Sequence, residues 1–527
     1  MIDDPTWTPG VMRKRVSVGS QTSNVGRLNF VVVRAVQEAF RQFSKSSSLC
    51  GYRYLTEGSA LERFIWLLIH LTSLSSVIYL NLYMWQMFIT DPTIVTLEKF
   101  TLPIREVPFP GVSICNINRI SKKAAYAMAK EYADRSSENL SYIFEDIKFL
   151  GKLYDFSFSD QEEESIMRFQ KFLEEYDPDR PQESLKGDFD VLNKMSQLQL
   201  AGDCVEMLSD CRWGGFNRPC ADLFINELTM DGFCCVFNYF NKNNPNVSKI
   251  IRQENDNRTL HSTKFGRNFG LTFRVNTNIS DYFYSPIATM GSKILITSAE
   301  DFPDTTSGSL IEKLVPIGVE ANLELTAQSI YTVYEAKKYS IAKRNCIFKN
   351  EVRTIFGDYS QSDCIMDCKI RSVAALCECV SFMHTKAAFS GFGYQCTLAD
   401  LACLSKYAAK WRQIYPRDYA DDGLEREKQD ALNCRNCYPE CDTSRYFVNS
   451  EQGNIAGDDL NYSIVNIFFE TPYVEQHKQD VVYYWFDMIS MFGGICSLIM
   501  GISIISCVEV VIFFTYKIIE NIYKFSR

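Results

Sequence analysis

Histidine is nearly absent from this sequence: four occur in 527 residues, at positions 70, 261, 384 and 477. So few imidazoles leave little from which to build zinc centres, although several cysteine pairs have knuckle-like spacings. Catalytic signatures are missing too. There is no H-E-x-x-H, no P-loop, no G-x-S-x-G elbow, and no G-x-G-x-x-G between a strand and a helix. No enzyme is expected, and the many acids read as a solvated surface rather than as hydrolase pairs. Long apolar runs are scarce as well. Only residues 61–89 and 484–516 can cross a bilayer, which takes about 20 residues of helix. The mean hydropathy of the whole chain is -0.14 even with these runs included, so the rest is soluble in composition. A multi-helix transporter and a cytosolic enzyme are both excluded.

The charges that are present give an orientation. Residues 1–60 hold eight Lys/Arg against four acids, and the stretch after Val511 holds Lys517, Lys524 and Arg527 against Glu520. Both ends are basic, at +4 and +2. The whole chain is -9, so the remainder carries -15. Basic flanks stay inside, which predicts cytoplasmic termini and an extracellular middle. The first apolar run is expected to act as a signal anchor, because the N-terminus is polar. The division is 1–60 cytoplasmic, 61–89 first span, 90–483 extracellular, 484–516 second span and 517–527 cytoplasmic tail.

Two features fit that topology. N-glycosylation sequons fall at Asn139, Asn246, Asn257, Asn278 and Asn461, all between the two runs. Of 19 cysteines, Cys50 precedes the first run and Cys496 and Cys507 lie in the second, leaving sixteen from Cys115 to Cys441. An even number outside the cell reads as a disulfide framework. No repeat, low-complexity tract or Gly/Ser linker interrupts the middle, so one compact ectodomain with subdomains is expected. Stretches Glu106–Cys115, Phe269–Val275 and Lys293–Ile296 alternate or carry β-branched residues, as strands do. Residues 120–175 have helical spacing, and residues 310–330 are ambiguous. The fold class is therefore membrane α+β, with two spans flanking a disulfide-rich extracellular domain.

The second apolar run departs from a plain anchor. Gly493, Gly494, Ser497, Gly501, Ser503, Ser506 and Glu509 have no use in a helix that only faces lipid. Close helix packing explains the small residues but not Glu509, since an ionised acid at membrane depth costs at least about 2–3 kcal/mol unless it faces water or a partner. A pore explains all of them. A helix broken at Gly501–Ser503 frees backbone carbonyls, which is tolerated where they line a wet cavity.

These residues resemble the degenerin/epithelial sodium channel superfamily, and within it the insect pickpocket group. The block from Phe109 to Arg119, F-P-G-V-S-I-C-N-I-N-R, is similar to the family's segment after the first span. Thr229 to Asn238 is similar to its T-x-x-G-x-C-x-x-F-N block, Gly501-Ile502-Ser503 to its G-x-S filter, and Tyr359 to Cys364 to part of its thumb region. The resemblance runs from about Phe43 to Phe514. The family usually has His-Gly before the first span, where this chain has Cys50-Gly51.

The resemblance implies a hand-like ectodomain with a central β region and peripheral helices, its thumb at 346–441. It implies the pairs Cys346–Cys441, Cys364–Cys437, Cys368–Cys434, Cys377–Cys403, Cys379–Cys396, Cys115–Cys234 and Cys211–Cys220, with Cys204 and Cys235 left over. It implies a voltage-independent, amiloride-sensitive type of sodium channel in the plasma membrane, passive and gated through the ectodomain by an unidentified stimulus. Gly501, Ile502 and Ser503 become the filter, Ser490, Gly493, Gly494 and Glu509 the pore and gate, and Cys50 with Gly51 a cytoplasmic gating element. The expected partners are related subunits in a homo- or heterotrimer and membrane lipid, with no nucleic acid. No cofactor is expected; sodium permeates. A trimeric purinergic-type channel and a non-conducting two-pass receptor are the alternatives.

Overall fold

The computed structural model describes residues 21–46, 51–90, 92–177, 190–199, 204–239, 259–354, 357–384, 394–415, 425–457 and 461–526. The chain divides into two compact units. One comprises the segments before Thr93 and after Val481, the other Thr93–Val481.

The first unit begins with helix α1, Gln21–Ser46, and helix α2, Ala60–Thr90. In 31 residues α2 holds a run apolar enough to cross a membrane, and only Val77 on it is buried. At about 1.5 Å per residue it is about 46 Å long, more than the roughly 30 Å of hydrocarbon requires. Its start is set by Ser59 and Glu62: the Ser59 N–H donates to Glu62 Oε2 at 2.8 Å, satisfying a donor that the helix start leaves open.

Among the described residues the second unit holds two large sheets and three two-stranded ones. The larger has eight strands. In spatial order Thr93–Pro103, Tyr473–Val481, Val319–Thr332, Tyr462–Phe469, Leu271–Asn276, Leu208–Trp213 and Phe216–Asn217 follow one another, and Thr443–Asn454 pairs antiparallel with Val319–Thr332. Val319–Thr332 shows why it is a strand. Ala321, Leu323, Leu325 and Ala327 are buried while the residues between them are not, the period-two pattern of a sheet face. The stretch 310–330, ambiguous from sequence, is thus two strands, Ile311–Pro316 and the start of Val319–Thr332. The smaller sheet orders Ile311–Pro316, Gly291–Thr297, Gly111–Asn116, Gly232–Phe237 and Phe224–Thr229.

One hydrophobic core draws on both sheets, and Phe109 lies in it fully buried. Its ring meets Trp213 at 4.8 Å, Phe469 at 5.7 Å and Phe237 at 6.0 Å, all edge-on. The two sequence blocks singled out above converge on this point. Asn238 Nδ2 donates to the Phe109 carbonyl at 2.5 Å, and Asn238 Oδ1 accepts the Leu260 N–H at 2.7 Å. Arg119, 3 % exposed, donates to Asp231 Oδ1 at 2.7 Å, and Cys115 is bonded to Cys234. A buried guanidinium needs such a partner, because an uncompensated charge in the interior is strongly destabilising.

A second core collects the helices α3, Lys122–Ser136, α4, Glu163–Tyr176, α5, Gln361–Cys377, and α6, Leu401–Arg412. Ser121 caps α3 by accepting the Ala124 N–H, and Ser360 caps α5 through the Asp363 N–H. Trp411 fills this core and donates from Nε1 to Ser372 Oγ at 3.1 Å. Beneath α5 the buried pair Lys369–Asp304 closes at 3.1 Å.

The chain returns to the first unit with α7, Trp485–Met500, and α8, Ile504–Ser526. α7 packs on α2, with Asn81 Nδ2 3.9 Å from Cys496 Sγ, and α8 packs on α1. The second apolar run, read from sequence as 484–516 with a break at Gly501–Ser503, is two helices. It is a bent pair, 70° apart, and the helix continues through the expected tail to Ser526.

Candidate functional site: a broken apolar helix

Local chemistry explains where the helix breaks. α7 is started by Asp487, whose Oδ2 accepts the Tyr484 N–H at 3.0 Å, and an acid in the first turn favours the helix dipole. It ends at Gly501, which takes a left-handed φ of 67° and donates its N–H to Ser497 O at 2.9 Å. That conformation is the usual stop for a helix, and glycine adopts it without a Cβ penalty. Two residues later Ser503 Oγ accepts the Ser506 N–H at 3.1 Å, the mark of a helix start. Gly501, Ile502 and Ser503 are therefore a stop, a link and a start. The last carbonyls of α7 lack the donors that an unbroken helix would supply.

Ser490, Gly493, Gly494 and Ser497 recur at helical spacing along one face of α7, and all four are exposed in the single chain. A Cβ added at Gly493 or Gly494 meets nothing within 4 Å. Met488, which is buried, lies on the opposite side, and half-buried Cys496 faces Asn81 of α2. Glu509 stands in the second turn of α8, half-buried. Gly51 is described and Cys50 lies outside the described residues. Gly51 has φ +81°, and a Cβ there would come within 2.8 Å of the Trp66 ring.

Eight disulfides close the second unit. They join Cys115 to Cys234, Cys204 to Cys235, Cys211 to Cys220, Cys346 to Cys441, Cys364 to Cys437, Cys368 to Cys434, Cys377 to Cys403 and Cys379 to Cys396. Cys204 and Cys235, left over in the resemblance, are thus bonded to each other. Among the described residues no His/Cys/Asp/Glu group is arranged to hold a metal. Asn139, Asn278 and Asn461 are exposed, and the last two line one cleft of about 940 Å³; Asn246 and Asn257 lie outside the described residues.

Two groupings escape sequence reasoning. Asp301, Asp363 and Glu440 come together from a loop, the first turn of α5 and the residue before Cys441. Burial raises all three carboxyl pKa values, Asp363 to about 7, and the charge of Glu440 adds to the rise at Asp301 and Asp363. Nothing local in the sequence signals a meeting across such separations. The second is the contact of α1 with α8, where Phe43 packs against both Phe513 and Phe514. Its only trace in the sequence is the spacing of Ala35, Ala39 and Phe43 on one helical stripe.

Comparison with known proteins gives the family. The family described as "Amiloride-sensitive sodium channel" matches residues 43–513. The sodium channel protein Nach of Drosophila ananassae is 25% identical over 507 residues, covering 92% of this chain and 88% of that protein. Pickpocket protein 28 of Drosophila melanogaster is 22% identical, covering 92% and 79%. The bile acid-sensitive ion channel of Mus musculus is 21% identical, covering 92% and 91%. The chain belongs to the amiloride-sensitive sodium channel family, an insect pickpocket-like member of the degenerin/epithelial sodium channel superfamily, whose proteins are ion channels and not enzymes.

Proposed function

We propose that the chain is one subunit of a voltage-independent, amiloride-sensitive type of sodium channel in the plasma membrane, gated through its extracellular domain. α2 forms the first span and the bent pair α7–α8 the second, with both termini cytoplasmic. One observation carries the reading: an apolar helix pair that stops and restarts at Gly501–Ser503, beside an open face of small residues. Irregular backbone at membrane depth is stable only where it lines water or packs in protein. A single bent helix per chain cannot enclose a conduit, and three can. Backbone oxygens at 501–503 then replace part of the water shell of sodium, and Glu509 supplies a negative ring. Neither apolar helix carries the repeated arginines of a voltage sensor.

The test is whole-cell recording of the chain expressed alone, challenged with peptide, protons, force and amphiphiles such as bile acids, with amiloride as blocker. Gly501→Phe is expected to abolish current or admit larger cations while surface delivery persists. Glu509→Lys is expected to lower conductance, because a positive ring repels sodium where screening is poor. Unchanged sodium-over-potassium preference in both variants refutes the assignment. A well-delivered parent that stays silent under every stimulus favours the non-conducting receptor.

A further inference from the structure

Five rings run in an unbroken series through the first unit. The His70 imidazole of α2 lies 4.8 Å from the Tyr52 ring, and Tyr52 lies 6.5 Å from Phe43 of α1. Phe43 in turn meets Phe513 at 5.3 Å and Phe514 at 5.1 Å on α8. Phe43 is 4 % exposed, and Ala35 and Ala39, eight and four residues before it, are fully buried on the same stripe. Further along α8, Asn521 Nδ2 donates to the Ala35 carbonyl at 3.4 Å. α1 is therefore held against α8 at two levels.

The turn that carries Tyr52 is pressed onto α2. A Cβ at Gly51 would lie 3.1 Å from His70 Nε2 as well as 2.8 Å from Trp66, so glycine is what lets the backbone come this close. Tyr54 stacks on Trp66 at 4.8 Å and 9°. His70 Nε2 is buried and makes no hydrogen bond. The site thus uses the ring of His70 as a packing surface.

The arrangement divides the labour on the bent pair. α2 packs along α7 and against the turn at Tyr52–Leu55, whereas α8 packs along α1. The two halves of the broken helix are held by different partners, and the ring series connects them. A break at Gly501–Ser503 has no continuous hydrogen-bond ladder, so its angle follows from what each half packs on, and close-packed side chains transmit displacement. The geometry points to His70, Tyr52 and Phe43 as positioning residues that set the angle at Gly501–Ser503 from the cytoplasmic side. This assignment rests on the reading of that break as the pore constriction.

Cys507, an exposed free thiol in the first turn of α8, reports the angle without any need for current. In the full-length protein in membranes, with Cys50→Ser and Cys496→Ser, its modification rate by a methanethiosulfonate reagent is measured for Phe43→Ala, His70→Ala and their double variant. Each single variant is expected to change the rate at least threefold, and the double to match the larger single change. His70→Phe, which keeps a ring, is expected to retain the parent rate. Rates unchanged in well-delivered single variants, or factors that multiply in the double, overturn the proposal. If Phe43→Ala is not delivered, Phe43→Leu carries the same cycle. A protein that passes this test but conducts nothing contradicts the channel reading alone.

Discussion

On α7 the exposed Ser490 sits where three copies of the helix approach one another on the pore reading, three residues before Gly493. A small side chain fits a shut state there, and overpacking costs about 1–3 kcal/mol per site. Threefold symmetry multiplies that strain. Ser490→Phe is therefore expected to raise resting current before any stimulus; a well-delivered variant as silent at rest as the parent removes the gate role. The carboxylates Asp301, Asp363 and Glu440 give a second residue-scale expectation. Asp363 is raised to about 7, by burial first and by the charge of Glu440, against the Ser360 hydroxyl. A carboxyl raised in the folded state favours the fold at low pH, and that contribution disappears as pH rises through the folded value. Stability of the purified protein should thus fall between about pH 4 and pH 7, and Asp363→Asn should flatten that slope. An unchanged thermal-shift profile in Asp363→Asn contradicts this. None of these three acids is legible in the sequence, because each is an ordinary acid in its own segment.

At the scale of elements, the sequence is informative where the chemistry is local. Gly501 and Ser503 are a helix stop and a helix start by residue type alone, so the break is readable, although the 70° bend is not. The segment 310–330 is obscured because Ala, Leu and Glu favour helix, and only pairing on both flanks makes Val319–Thr332 a strand. The packing of α1 on α8 is hidden for another reason. Its buried stripe looks like any amphipathic helix, and its partner lies 486 residues away. The disulfide ladder also acts at this scale. Cys346–Cys441 spans 95 residues and Cys377–Cys403 spans 26. On the chain-entropy account, removing the longer closure should cost about 1 kcal/mol more than removing the shorter one. Chemical denaturation of Cys346→Ala/Cys441→Ala and Cys377→Ala/Cys403→Ala proteins measures this, and equal losses contradict it.

For the whole molecule, family and layout follow from ordered motifs whose structural reasons are now visible. Phe109 and Arg119 belong to one block, Asp231 and Asn238 to another more than a hundred residues on, and hydrogen bonds join the two blocks at both ends. Phe109 ties the two sheets together through Trp213 and Phe469, the other three brace the smaller sheet, and the conduction reading rests on a separate set at Gly501–Ser503 and Glu509. The most direct measurement of that reading is current across a planar bilayer containing the purified protein under a sodium gradient, with the same stimuli applied. The account predicts a current that reverses near the sodium equilibrium potential, falls in Glu509→Lys and disappears or loses selectivity in Gly501→Phe. A bilayer as quiet as a protein-free one under every stimulus, or a current indifferent to both substitutions, would contradict it.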